Sequence, residues 1–194
     1  MAKEKNVKVI DMNDTNQVDA LLEKVSHKVR IKKAKIKDDL FLEGEYSEEL
    51  PGHSKKDSKF SCTVPIHEDL KAAIEKLHVH LAILCDYENT KKAASLDDLA
   101  FPAFQAKGFS IGGNEENEGV TISGNMDGKY GLVNLNTPFK KLEDTEYPHI
   151  GHLGACIQSA IYEVEQYLFE GKRAPEKQLS MFDEEDPQTP EEEN

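Results

Sequence analysis

The chain has 194 residues, of which 38% are hydrophobic, and its 37 acidic residues outnumber 24 basic ones, for a net charge of −13. This length is enough for one compact domain or two small coupled halves. No run approaches the roughly 18 apolar residues that span a bilayer, and three widely spaced cysteines do not make a disulfide scaffold. Residues 1–6 lead into no apolar segment, so we expect a cytoplasmic protein without a secretory signal or a membrane partner.

The first half of the chain is predicted to contain strands followed by a helix. Residues 1–27 hold a short strand and a short helix before the main domain begins. The predicted bounds that follow are 28–37, 40–46 and 59–64 for three strands and 67–85 for an amphipathic helix. Asp38 and Asp39 are predicted to form the turn between the first two strands.

The second half repeats this order. Its predicted bounds are 107–112, 120–125 and 129–136 for three strands and 150–170 for the final helix. Asp127 and Gly128 are predicted to form a hairpin turn, because glycine tolerates the positive φ that such turns require. Two three-stranded sheets, each with a helix, would bury their apolar faces by packing on one another.

We therefore predict an α+β fold made of two repeated antiparallel βββα units packed about a pseudo-twofold axis. The duplicated domain covers 28–172, with halves at about 28–86 and 104–172. Residues 173–194 are predicted to be a disordered tail. From Asp183 onward the tail carries seven acids and no bases, so removing them takes the net charge from −13 to −6.

The strand predicted at 28–37 is strongly basic. Cations at alternate positions of a strand project to one face, where they can follow a phosphate backbone. A solvated edge strand, protected by lysines against aggregation, has the same pattern. The residues predicted to bind nucleic acid are Lys28, Arg30, Lys32, Lys33, Lys35, Lys37, Lys59, Phe60, Lys107, Lys129 and Tyr130.

Aromatic residues beside these cations are candidates for stacking on bases. The candidates are Phe41, Tyr46, Phe60, Phe109 and Tyr130. In a chain without tryptophan, packing in the core is the alternative use of each ring. The order of strand trios and helices over about 28–170 resembles the Whirly-type architecture, which implies surfaces that bind single-stranded DNA. Whirly halves usually carry four strands, whereas three are predicted here.

A pentapeptide in the tail, Gln178-Leu179-Ser180-Met181-Phe182, resembles the bacterial sliding-clamp-binding motif. Every position matches except Met181, where leucine is usual. The resemblance implies that Gln178, Leu179, Met181 and Phe182 bind the clamp, with the apolar side chains in a cleft. Folding of these apolar residues back onto the domain as a hydrophobic latch is the alternative.

No catalytic or metal-binding motif stands out. Two loose groups contain histidine and cysteine: His149, His152 and Cys156 form one, and His78, His80 and Cys85 form the other. Neither group has the paired spacing of a structural zinc site, so no metal or other cofactor is predicted. The sequence also has no nucleophile elbow and no phosphate-binding loop.

Two functions follow from these features. One is a single-stranded DNA-binding accessory protein of replication or recombination, recruited to the sliding clamp through its tail. The alternative is a phage-like adaptor or inhibitor that docks on the clamp without binding DNA, which the overall negative charge favours. A small metal-dependent nuclease is a third hypothesis. The sequence leaves open whether the protein forms homo-oligomers.

Overall fold

The computed structural model describes residues 28–49, 55–85, 96, 101–114 and 117–175. The elements predicted within 1–27 lie outside the described residues. So do the clamp-type pentapeptide and the rest of residues 176–194, whereas residues 173–175 at the start of the predicted tail are described.

The described part of the chain contains seven strands and three helices. The strands are β1 (Lys28–Lys37), β2 (Phe41–Glu49), β3 (Lys56–Ser61), β4 (Phe104–Gly112), β5 (Gly119–Gly128), β6 (Gly131–Asn136) and β7 (Lys140–Lys141), and the helices are α1 (Glu68–Glu75), α2 (His78–Leu84) and α3 (Ile150–Phe169). The predicted α+β class is confirmed. None of these helices is both long and apolar enough to cross a membrane.

The strands form one sheet in the order β3-β2-β1-β4-β5-β6, and β7 pairs with β5. Every pair whose register is described is antiparallel. The expectation of two separate three-stranded sheets is wrong, because Lys33 of β1 lies opposite Ser110 of β4 and Lys35 lies opposite Gly108. This pairing satisfies backbone groups that two separate sheets would leave at exposed edges.

The chain divides into two compact units. The smaller unit comprises Met1–Arg30 and Tyr46–Ser58, and its described residues are Lys55 and parts of the first three strands. The larger unit comprises Ile31–Glu45 and Lys59–Asn194 and holds the three helices and β4 to β7.

The core of the larger unit lies between its part of the sheet and the helices. Helix α1 contacts α3 and β4, and α2 contacts β4 and β5. The fully buried side chains include Leu70, Ile74, Leu81, Phe109, Ile122, Leu153 and Ile157. These residues come from the apolar stripes of the helices and the inward positions of the strands, as amphipathic elements require.

The single helix predicted at 67–85 is wrong, because the chain forms α1 and α2 with a break between them. His67 begins α1 by accepting a hydrogen bond from the backbone N–H of Asp69 at 3.2 Å. At the break, Nδ1 of His78 lies 2.7 Å from the carbonyl oxygen of Glu75. The carbonyl oxygen of Glu75 therefore accepts a hydrogen bond from a side chain, whereas in a continuous helix it would accept one from a backbone N–H.

The predicted turn at Asp38 and Asp39 is confirmed. Their φ angles are 51° and 59°, and the N–H of Leu40 donates to the carbonyl oxygen of Lys37 at 3.1 Å. Short polar side chains tolerate this left-handed backbone, which matches the twist of a tight hairpin.

The hairpin turn predicted at Asp127 and Gly128 is displaced by two residues. Gly128 pairs with Gly131, so Lys129 and Tyr130 form the turn between β5 and β6. Gly131 supplies a positive φ of 129° where the chain enters β6.

Candidate functional site

The register divides the sheet of the larger unit into two surfaces, because residues directly opposite in paired strands share a face. One row joins Ala34, Phe109 and Ile122, which are all buried on the helix side. The neighbouring rows are polar: Lys33–Ser110–Thr121 and Lys35–Gly108–Ser123–Asn136. We call the surface formed by these polar rows the polar face.

Three predicted cations of β1 lie on the polar face. Lys33, Lys35 and Lys37 are exposed, whereas Ala34 and Ile36 between them are buried. The alternation follows from the period of two in a strand, which sends successive side chains to opposite faces. It places three ammonium groups in a row along one strand.

The remaining cations of β1 are less accessible. Arg30 and Lys32 are partly exposed, and Lys28 begins the strand with a side chain outside the described part. The buried positions Ile31 and Ala34 are three residues apart, so the alternation changes phase between them. This change keeps Lys32 and Lys33 both out of the core.

Two other predicted cations are paired with carboxylates. Lys107 forms an ion pair with Asp39, and its side chain is 19% exposed. The hydrogen bond from Lys107 holds the pKa of Asp39 below its usual value. Lys59 is far more exposed, with its Nζ 3.3 Å from Oε1 of Glu45. Because carboxylates partly neutralise their charges, Lys59 and Lys107 attract a polyanion less strongly than lysines without a carboxylate partner do.

The predicted aromatic residues have different environments. Tyr130 is 93% exposed at the β5–β6 turn, and Nζ of Lys129 lies 5.2 Å from its ring centroid. The ring of Phe60 covers Gly44, where an added Cβ would come within 2.8 Å of its Cζ. Phe109 is only 2% exposed, so its use as a stacking platform is wrong. Its ring packs in the core instead.

An open depression of about 450 Å³ lies at the end of the polar face. Its lining includes the lysines at 35, 37 and 107 and the amides at 125, 134 and 136. Asp38 and Asp39 also line it, so its charge is mixed. Ammonium and amide groups supply hydrogen-bond donors to phosphate oxygens, and amides also read base edges.

The structure also combines members of the two histidine groups. His80 of α2 lies beside His152 and Cys156 of α3 and beside Tyr147. Burial, followed by the electrostatic interaction with His152, lowers the pKa of His80 to about 3. Burial also raises the pKa of the Tyr147 hydroxyl. Helical spacing identified His152 and Cys156 in the sequence, but only the placement of α2 adds His80.

No protein-family model, curated protein or solved structure matches this chain. Its function is therefore inferred from the chemistry of its own residues. Gln178, Leu179, Met181 and Phe182, which the resemblance assigns to clamp binding, lie outside the described residues.

Proposed function

We propose that this chain is a single-stranded DNA-binding accessory protein of replication or recombination, and that the polar face binds the strand. The observation that carries this proposal is the row of Lys33, Lys35 and Lys37, which are exposed on one side of β1. Ala34 and Ile36 are buried on the other side, so the cations are held at the strand spacing of about 6.6 Å between alternate residues.

Each group of residues has a role in this binding mode. The three lysines neutralise phosphates and release counterions. Asn125, Asn134 and Asn136 donate hydrogen bonds to phosphates and sugars. Tyr130 stacks on a base at the edge of the sheet, where its ring is accessible.

We also propose that the sheet consists of two βββα units, 28–86 and 104–172, related by a pseudo-twofold axis. The strand order supports this, since it reads 1-2-3 outward from β1 and 4-5-6 outward from β4. Helices α1 and α2 follow the first trio, and α3 follows the second. A duplicated unit of this kind agrees with the resemblance to the Whirly-type architecture.

Recruitment to a bacterial sliding clamp through residues 178–182 completes the proposal. The alternative is an adaptor or inhibitor that docks on the clamp and binds no DNA. The net charge of −13 and the carboxylate partners of Lys59 and Lys107 favour this alternative. Cytoplasmic location and self-association remain predictions.

The DNA-binding proposal is tested by fluorescence anisotropy with a labelled single-stranded oligonucleotide at several salt concentrations. Wild-type protein is expected to bind at low salt and to lose affinity steeply as salt rises. Changing Lys33, Lys35 and Lys37 together to Gln should lower the magnitude of the log–log salt slope by about 2 units, since each single-strand phosphate contact contributes about 0.7.

A matched control changes two exposed lysines on the helix side, Lys71 of α1 and Lys76 directly after it, to Gln, and is compared with a Lys33→Gln, Lys35→Gln double variant. Both double variants have the same net charge, so a difference between them isolates the position of the charges. Equal losses in the two variants, or no binding by wild type at low salt, would exclude the polar face as the DNA site.

Clamp recruitment is tested separately by a pulldown of purified sliding clamp. Full-length protein is compared with a Gln178→Ala, Phe182→Ala variant, in which the polar anchor and the terminal aromatic are removed. Loss of capture only in the variant supports the motif. If both proteins retain the clamp equally, the pentapeptide does not bind it.

A further inference from the structure

Three side chains that commonly bind metals meet between α2 and α3. Nε2 of His80 lies 2.8 Å from Nδ1 of His152, and Sγ of Cys156 lies 3.7 Å from that same Nδ1. The three ligand atoms all lie within 4.8 Å of one another. His80 and Cys156 are buried, whereas His152 is half-buried. The cluster is therefore mostly buried, and His152 is its most accessible member.

Two of these three separations are close to those around a tetrahedral ion, and the third, between the ligand atoms of His80 and Cys156, is at most 4.8 Å. Bonds of about 2.0–2.1 Å to nitrogen and 2.3 Å to sulfur would separate the two nitrogens by roughly 3.3 Å and nitrogen from sulfur by roughly 3.6 Å. The distance between Cys156 and His152 already fits. The two imidazoles need to separate by about half an ångström, which replaces their mutual hydrogen bond with bonds to the ion.

A fourth side chain holds His80 in a suitable orientation. Nδ1 of His80 lies 2.7 Å from the hydroxyl oxygen of Tyr147. When Nδ1 donates to that oxygen, Nε2 carries the lone pair and faces Nδ1 of His152. Metal-binding histidines nearly always make such a second hydrogen bond, because it fixes the tautomer and the ring orientation.

The position of the ligands along the chain also suits a metal site. His152 and Cys156 are four residues apart on α3, so they project from the same side of the helix. His80 comes from α2, separated from His152 by 72 residues of sequence. An ion held by all three residues would therefore link α2 to α3, which are far apart in the sequence.

We propose that Nε2 of His80, Nδ1 of His152 and Sγ of Cys156 bind one divalent transition-metal ion, with zinc as the preferred ion and a water as the fourth ligand. Two imidazoles and one thiolate match the nitrogen and sulfur preference of zinc. On binding, the Cys156 thiol releases its proton to solvent. The proton that Nδ1 of His152 donates to Nε2 of His80 moves to Nε2 of His152, which is not a ligand. Both imidazole rings therefore stay neutral.

Cobalt(II) is the probe for this site, because a cobalt–thiolate bond gives a charge-transfer band and a tetrahedral ion gives intense visible bands. Full-length reduced protein, freed of metal by a chelator, is titrated with cobalt chloride. We expect a thiolate charge-transfer band that saturates at one ion per chain and disappears when zinc is added. The melting temperature should rise with either ion, since an ion that binds only the folded state stabilises it.

Matched variants locate the ligands. Cys156→Ser should abolish the thiolate band, whereas Cys62→Ser and Cys85→Ser should retain it. His152→Gln should weaken cobalt binding by more than tenfold, and far-UV circular dichroism confirms that each variant is folded. Absence of the band in wild type, or its persistence in Cys156→Ser, would overturn the proposal. Neither result depends on DNA binding, because the polar face contributes no ligand.

Discussion

At the residue scale, the structure shows how buried polar atoms find partners. Thr137 is 4% exposed, and its Oγ1 accepts a hydrogen bond from the backbone N–H of Ile122 at 2.9 Å. Its own N–H donates to the carbonyl oxygen of Ile122, also at 2.9 Å. The side chain therefore continues the β5–β6 ladder one residue beyond β6. No buried side-chain nitrogen or oxygen among the described residues lacks a partner.

This contact leads to a prediction for Thr137→Val. The two side chains have nearly the same shape, but valine leaves the buried N–H of Ile122 without an acceptor. We expect the free energy of unfolding to fall by about 1–3 kcal/mol, the cost of an unsatisfied buried donor. Chemical denaturation followed by circular dichroism measures the change.

Two further variants separate the hydrogen bond from the loss of a hydroxyl in general. Thr137→Ser keeps the hydroxyl and should recover most of the stability. Thr121→Val removes a hydroxyl from a half-exposed position and should change stability little. A Thr137→Val protein as stable as wild type would contradict this role of the side chain.

At the element scale, close contact between α2 and the sheet depends on a residue without a side chain. A Cβ added at Gly124 of β5 would lie 2.6 Å from Cδ2 of Leu81 and would also collide with the carbonyl oxygen of Gln105. Leu81 is fully buried, so the helix rests directly on the backbone of β5 at this position. The sequence pattern placed Gly124 in a predicted strand but did not indicate this contact.

We therefore expect Gly124→Ala to lower the free energy of unfolding by about 1–3 kcal/mol, as overpacking of a filled core typically does. Gly154→Ala is the matched control, because a Cβ there meets nothing within 4 Å and the residue lies inside α3. That change should raise stability by roughly 0.5–1 kcal/mol through better helix propensity. Equal effects of the two substitutions would contradict the packing at Gly124.

At the scale of the whole molecule, charge pairs connect distant parts of the chain. Nζ of Lys172, which follows α3, lies 2.6 Å from Oδ2 of Asp69 in α1 and 2.8 Å from Oε2 of Glu163 in α3. The N–H of Ala174 donates to the carbonyl oxygen of Pro65 at 3.3 Å. The segment after α3 therefore returns to the start of α1.

This connection predicts a pH-dependent effect of Asp69→Asn. The hydrogen bond from Lys172 holds the pKa of Asp69 below its usual value. The unfolded state therefore binds a proton at higher pH than the folded state does, so the contribution of Asp69 is present above that value and disappears as the pH falls through the lowered pKa. We expect the variant to be slightly less stable than wild type at pH 7.

Denaturant midpoints of both proteins at pH 7 and in acid measure this difference, which should shrink in acid and at high salt. Asp127→Asn serves as a control that removes the same charge from an exposed strand position. A stability gap for Asp69→Asn that is the same at both pH values would contradict the ion pair.

Local patterns in the sequence determined much of the architecture. Residue preferences within a few positions were enough to predict the α+β class and the bounds of β1 and α3. They also predicted the turn at Asp38 and Asp39 and the exposure of Lys33 and Lys35. Such signals need no knowledge of the rest of the chain, because strand and helix periodicity sort polar from apolar side chains locally.

Only the tertiary structure decided which distant residues meet. It joined the strand trios through β1 and β4, paired Lys107 with Asp39 across 68 residues, and brought His80 to His152 across 72. Several packings of the same amphipathic elements bury similar apolar area, so periodicity does not distinguish them. Close packing and satisfaction of backbone hydrogen bonds select one arrangement, and that choice creates the polar face and the histidine–cysteine cluster.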